Sequence, residues 1–259
     1  APVQHEEPVD VVDLLGEVIQ EAVLRAQLRA LNPGPDGQPW LDDGRLSEAV
    51  AAITRLGTPR LMEANQRATA LLIQGLTVEG LPGWDGGRSQ TLRYIDWSTP
   101  ANNRLTVVNQ YRVDCPPGFN SAKAFIVPDL MLLVNGIPLV VVECKKGSET
   151  CANPMQEAFV QLQRYMRRRK ETEASGLKEG EPRLFYSSLM LVRSCGLEAD
   201  YGTITSGEEH FYAWKTLHPA DNSALAGMNA QQLLIAGMLN KANLLQILGT
   251  HASALLDRL

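Results

Sequence analysis

Three charged side chains interrupt the most apolar stretches of the chain: Asp129 within Phe125 to Val134, and Glu143 and Lys145 at the end of Ile137 to Lys145. A charge in such a run is costly unless it is paired or holds a metal. Glu143 and Lys145 are two residues apart, so on a strand both project from one face and can converge on a single reacting group. Cys144 then points away but keeps its backbone carbonyl available. Two carboxylates and a carbonyl form a hard oxygen donor set suited to Mg²⁺, which keeps several waters and bridges to phosphate oxygens. The chemistry is metal-assisted attack of water on a phosphate ester, with Lys145 as a compact cation that orients the water or helps deprotonate it and offsets developing negative charge. Spacing alone leaves a plainer alternative open, in which Asp129 caps a bend and Glu143 and Lys145 form a solvated pair.

The two carboxylates meet only if the strands that carry them pair in the right register. Asn135-Gly136 reads as a tight hairpin turn. A strict two-residue loop pairs Val134 with Ile137 and Asp129 with Val142, which leaves Glu143 on the opposite face. A three-residue loop or a β-bulge is therefore expected. Pro128, which cannot donate a ladder hydrogen bond, is the expected place for the irregularity.

Around this hairpin the periodicity predicts helices over Val11 to Leu31, Leu46 to Leu56 and Pro59 to Gln74, with a loop from Asn32 to Gly37. Short β-branched and aromatic runs predict strands at Thr91 to Trp97, Leu105 to Asp114, Phe125 to Val134 and Ile137 to Lys145. Ile137 to Val142 is apolar at every position, as a central strand covered on both faces requires. A helix from about Pro154 to Lys170 follows, then strands at Leu184 to Val192 and Tyr201 to Thr205, and helices at Ala230 to Met238 and Lys241 to Leu256. The order implies an α/β fold with a mixed central β-sheet flanked by helices.

Composition narrows the function classes. With 259 residues, 44% apolar and 20% charged, the chain can bury one substantial core. The net charge of -5 argues against a standing, sequence-independent grip on DNA, so any DNA contact would depend on other domains. Four cysteines without zinc-type spacing read as reduced thiols, and His5, His210, His218 and His251 have no ligand spacing. There is no GxGxxG, no phosphate-binding Gly-x-x-x-x-Gly-Lys-Ser/Thr loop and no Gly-x-Ser-x-Gly elbow. The acidic N-terminus lacks signal-peptide character and no apolar run could span a bilayer, so a cytoplasmic protein with no membrane contact is expected.

Pro128-Asp129, thirteen intervening residues and Glu143-Cys144-Lys145 resemble the signature of restriction-endonuclease-like nucleases of the PD-(D/E)xK superfamily. The segment VPDLMLLVNGIPLVVVECK is similar to the nuclease segment in the N-terminal region of the restriction (R) subunit of type I restriction-modification enzymes. LTVVNQYRVD upstream, and YGTITSGEEHFYAWKT and LLIAGMLNKANLLQIL downstream, resemble the same region, whereas the first ninety residues match loosely and Cys144 replaces a usual aliphatic residue.

The resemblance implies a restriction-endonuclease-like core and a Mg²⁺-dependent, type I site-specific deoxyribonuclease. Asp129, Glu143 and Lys145 would be catalytic, and Asp129, Glu143 and the Cys144 carbonyl would hold the metal. Gln161 and Tyr165 fit the family's Gln-x-x-x-Tyr element, one helical turn apart, where they could hold the lysine or a DNA backbone, or be a partly buried amphipathic pair. A further acidic residue from the first helix is expected, Glu17 or preferably Glu21, against a plain solvated helix surface. Arg164, Arg167, Arg168, Arg169 and Lys170 give a basic helix end that could track phosphates or complement the helix dipole. Residues 1–220 would form the nuclease domain and 221–259 helices leading toward an absent ATP-driven motor domain, the source of any ATP dependence. Double-stranded DNA and the modification and specificity subunits would be partners. Two rivals remain: an autonomous repair or recombination nuclease of the same fold, and a non-catalytic DNA-docking module.

Overall fold

The computed structural model describes residues 17–115, 124–147, 151–167, 180–218, 222–225 and 227–257. Among the described residues, α1 (Glu21–Leu31), α2 (Asp43–Thr54) and α3 (Leu61–Gln74) come first, then β1 (Leu76–Val78) and β2 (Gln90–Leu92), which pair with each other. Next come β3 (Leu105–Asn109), β4 (Val113–Asp114), β5 (Phe125–Ile126), β6 (Leu130–Val134) and β7 (Ile137–Cys144). Helix α4 (Pro154–Tyr165), β8 (Met190–Ser194), β9 (Ala199–Gly202), α5 (Ala230–Leu233) with its π-helical continuation (Leu234–Met238), and α6 (Lys241–Leu256) follow.

The central sheet has the order β3-β6-β7-β8-β9 among the described residues. It is mixed: β7 and β8 run parallel and the other neighbours antiparallel. A parallel pair needs a long crossover, which α4 provides. The arrangement is the expected α/β restriction-endonuclease-like one. Ile137 to Glu143 are all buried, because one face of the sheet meets α1, α2, α3, α5 and α6 while the other meets α4. Helix α4 presents Met155, Ala158, Leu162 and Tyr165 to that second face at helical spacing, and starts with Pro154 after an Asn153 cap that accepts from the Gln156 N–H.

The hairpin decides the site. Val134 pairs with Ile137 across a two-residue turn in which Asn135 and Gly136 both have positive φ, 56° and 82°. The expected three-residue loop is absent and the β-bulge is present, but not at Pro128. The ladder goes from Leu133↔Pro138 to Leu132↔Val140, so Leu139 is the extra residue. Pro138, which lacks an N–H, sits beside it and weakens the ladder there. The slip is visible in the packing: Ile137, Leu139, Val140 and Val142 all reach the larger cluster, so the alternation changes phase at Leu139, and Val141 faces α4. Leu130 now pairs with Val142, which brings Asp129 beside Glu143.

Several predicted boundaries shift. Of the helix expected from Val11, residues 11–16 lie outside the described residues and Glu17 to Gln20 are not helical. The Glu17 carbonyl there accepts from the Tyr111 hydroxyl at 2.9 Å, and the Gln20 N–H donates to the Gly136 carbonyl at 2.9 Å. The strand expected from Leu184 is a 3₁₀ turn to Phe185, then irregular chain held by Asn65, whose amide donates to the carbonyls of Phe185, Tyr186 and Ser188, until β8 begins. The predicted strand Leu105 to Asp114 breaks at Gln110, and Phe125 to Val134 breaks at Val127 to Asp129. Thr91 to Trp97 shrinks to β2, since Asp96 turns the chain by accepting from the N–H groups of Ser98 and Thr99.

Candidate active site

The charged residues gather where β7 ends, beside the start of β6. Glu143 is fully buried at 0% exposure, and one carboxylate oxygen accepts from the Lys145 ammonium at 2.5 Å. Its other oxygen, Oε2, is buried and has no hydrogen-bond donor among the described residues. Asp129 accepts the Cys144 N–H at 2.8 Å, and its carboxylate lies 3.9 Å from the Lys145 ammonium. One cation thus stands between two carboxylates.

Burial pushes Glu143 up to about 7; Lys145 opposes this, while the Asp129 charge and a hydrogen bond that the protonated Glu143 can make to Asp129 add to it. Burial also pushes the Cys144 thiol up to about 11, so it stays a protonated side chain packed against the larger core, away from the carboxylates. On an extended strand a residue's N–H and C=O leave on the same side. The Cys144 N–H meets Asp129, so its carbonyl is directed to that side as well. Asp129, Oε2 of Glu143 and this carbonyl are a donor set that fits a hard divalent cation.

Helix α4 fastens the other side. The Gln161 amide donates to the Tyr165 hydroxyl at 2.6 Å, which donates in turn to the Val127 carbonyl at 3.1 Å. Tyr165 therefore grips the break in the chain two residues before Asp129. Burial, with the Glu143 charge second, pushes its phenol up to about 12. The structure thus brings together Asp129, Glu143, Cys144, Lys145, Gln161 and Tyr165.

Glu21 is not brought there. It pairs with Arg25 at 2.7 Å on α1, whose start docks at Gly136, the far end of the hairpin. Six residues of strand from Asp129 to Asn135 put about 20 Å between those ends. Glu17 precedes the helix instead of sharing a face with Glu21. In the basic run, Arg167 donates twice to the Gly180 carbonyl and Arg164 lies over the Tyr165 ring, while Arg168, Arg169 and Lys170 lie outside the described residues.

One buried charge beside the site was not foreseen. Arg193 pairs in register with Glu143 and is held by Asp200 at 2.7 and 3.0 Å, by Glu208 at 3.1 Å and by the Met155 carbonyl of α4. Its signal was the one that marked Glu143, a charge closing an apolar run, Leu189 to Val192. It ties the first turn of α4 to the strand next to Glu143.

Among the described residues, no helix is long and apolar enough to cross a membrane. The family profile described as "Type I restriction enzyme R protein N terminus" matches residues 2–211. The chain is 28% identical over 234 residues to the type I restriction enzyme HindI endonuclease subunit of Haemophilus influenzae, covering 90% of this chain and 20% of that protein. It is 24% identical over 188 residues to a provisionally named type I restriction enzyme MjaIXP endonuclease subunit of Methanocaldococcus jannaschii, covering 71% of this chain and 16% of that protein. The chain thus spans a fifth or less of the length of these relatives.

Proposed function

The chain belongs to the family of type I restriction enzyme R protein N-termini, and from that premise we propose that it is the Mg²⁺-dependent DNA endonuclease domain of such a subunit. The observation that carries the reading is the buried Oε2 of Glu143, without a hydrogen-bond donor among the described residues, beside Asp129. A fully buried carboxylate oxygen without a donor costs about 1–3 kcal/mol or more, which a bound cation would offset. Asp129, Glu143 and the Cys144 carbonyl would hold the ion. Bound there, Mg²⁺ would lower the pKa of a water and neutralise charge on the phosphodiester.

The remaining work falls to the chain's own groups. Lys145 favours the ionised form of Glu143 and offers its ammonium to the phosphate oxygens as negative charge develops. The Cys144 N–H fixes the Asp129 carboxylate, and Tyr165 with Gln161 holds the backbone that presents it. In this reading the site is PD-(D/E)xK-like. An ATP-driven motor in the remainder of the subunit would bring DNA to it, and the modification and specificity subunits would supply recognition. The net charge of -5 suits a nuclease whose substrate is delivered.

Titration of Mn²⁺ into the wild-type chain and Glu143→Ala tests the site: binding in the wild type and its loss in the variant are expected. Equal binding by both would leave the domain a scaffold or a docking module.

A further inference from the structure

Gln110 separates β3 from β4 with a backbone φ of 51°. That left-handed region is unfavourable for a residue with a Cβ, and such residues cluster at functional sites. Among the other described non-glycine residues that adopt it, Asp36, Asp85 and Asn135 are the short polar types that tolerate it, and Arg167 follows the end of α4. Gln110 is neither. Its N–H donates to the Asp129 carbonyl at 2.8 Å, just past the Asn109↔Leu130 pair. It therefore lies opposite Asp129, where facing Cα atoms of antiparallel neighbours are about 4.5–5.5 Å apart. The side chain is exposed, and among the described residues its amide has no hydrogen-bond partner.

A glycine would adopt this conformation freely, so what glutamine adds here is its side chain. Across the ladder from Asp129, a neutral amide supplies donors without adding negative charge, and donors of that kind position phosphates. We propose that Gln110 is a substrate-contacting residue, its amide donating to a DNA phosphate oxygen beside the phosphodiester addressed by Asp129, Glu143 and Lys145. The proposal rests on the nuclease reading above.

The test compares single-turnover DNA cleavage by the full restriction complex carrying Gln110→Gly, Gln110→Glu or Glu143→Ala, with the melting temperature of each altered subunit. Gln110→Gly removes the amide and relieves the backbone, so cleavage falls about tenfold, the size of one hydrogen bond to a charged group, while the melting temperature holds or rises. Gln110→Glu keeps the shape but repels phosphate, and cleavage falls further. Glu143→Ala is inactive. Wild-type cleavage in both Gln110 variants with an inactive Glu143→Ala overturns the inference and leaves the nuclease reading standing. A lowered melting temperature in Gln110→Gly that accounts for its lost cleavage makes Gln110 structural and overturns it too. Wild-type cleavage in Glu143→Ala removes the nuclease reading, and the inference with it.

Discussion

The two ends of the β6–β7 hairpin each bury a polar residue completely, and they treat it in opposite ways. At the turn, Asn135 is 0% exposed; its amide donates to the Tyr94 carbonyl and to the Asn103 side chain, and its side-chain oxygen accepts the Arg104 N–H. At the other end Glu143 is equally buried, yet among the described residues one oxygen has only Lys145 and the other has no hydrogen-bond donor. Elsewhere, buried Glu181 has both oxygens held by Arg183, so burial by itself does not strand a carboxylate. A satisfied buried polar group is architecture, whereas an unsatisfied one beside a second carboxylate is a candidate functional site.

The two ends should differ most in stability, with the greater loss at the turn. Asn135→Ala leaves the Arg104 N–H and the Tyr94 carbonyl without their partner, takes one of two donors from the Asn103 oxygen and keeps a positive φ, so it should cost about 3 kcal/mol or more in urea unfolding. Glu143→Gln should leave metal-free stability unchanged or raised, because it removes a charge that the fold does not fully pair. Equal losses at both positions would erase the distinction.

The pH dependence sharpens it. Glu143 is raised from 4.5 to about 7, so the folded protein holds a proton that the unfolded chain releases. Its contribution is fully present below about 4.5 and is lost as pH rises through about 7, a slope opposite to that of a salt-bridged carboxylate. In urea unfolding without metal, wild type should lose up to about 3 kcal/mol across that window relative to Glu143→Gln. Matching pH profiles would count against the buried carboxylate. A divalent ion must displace the same proton, so Mn²⁺ affinity should rise about tenfold per pH unit up to about 7 and then level off. Calorimetry at a series of pH values reads this directly, and a flat affinity would place the ion elsewhere.

The smallest effect belongs to the grip on Val127. Tyr165→Phe removes the hydroxyl that links Gln161 to the Val127 carbonyl, costs about 0.5–1.5 kcal/mol, and should weaken Mn²⁺ binding severalfold by loosening the segment that presents Asp129. Unchanged binding would make Tyr165 a plain core residue.

Much of the site was legible because charge in an apolar strand is a local signal: Asp129, Glu143 and Lys145 stand out in sequence, and Arg193 would have by the same reasoning. The need for a register slip was also legible, since Asn135-Gly136 fixes the turn and a regular ladder would separate the carboxylates. Its position was not, because Pro138 and Pro128 are equally poor ladder donors and only the packing around Leu139 chooses between them. Glu21 failed for a different reason: an acidic residue on an amphipathic helix says nothing about which end of the sheet the helix docks against, and here the Gln20 N–H to Gly136 contact chose the far end. Strand β1, the partner of β2, was missed because Leu76 to Val78 is too short to show a period of two.

Whether this cluster cuts DNA is measured most directly by cleavage and ATP hydrolysis, in parallel, by the full restriction complex carrying Lys145→Ala. Lost cleavage with ATPase retained is the expected result; cleavage at the wild-type rate would contradict the assignment and move the chemistry out of this domain.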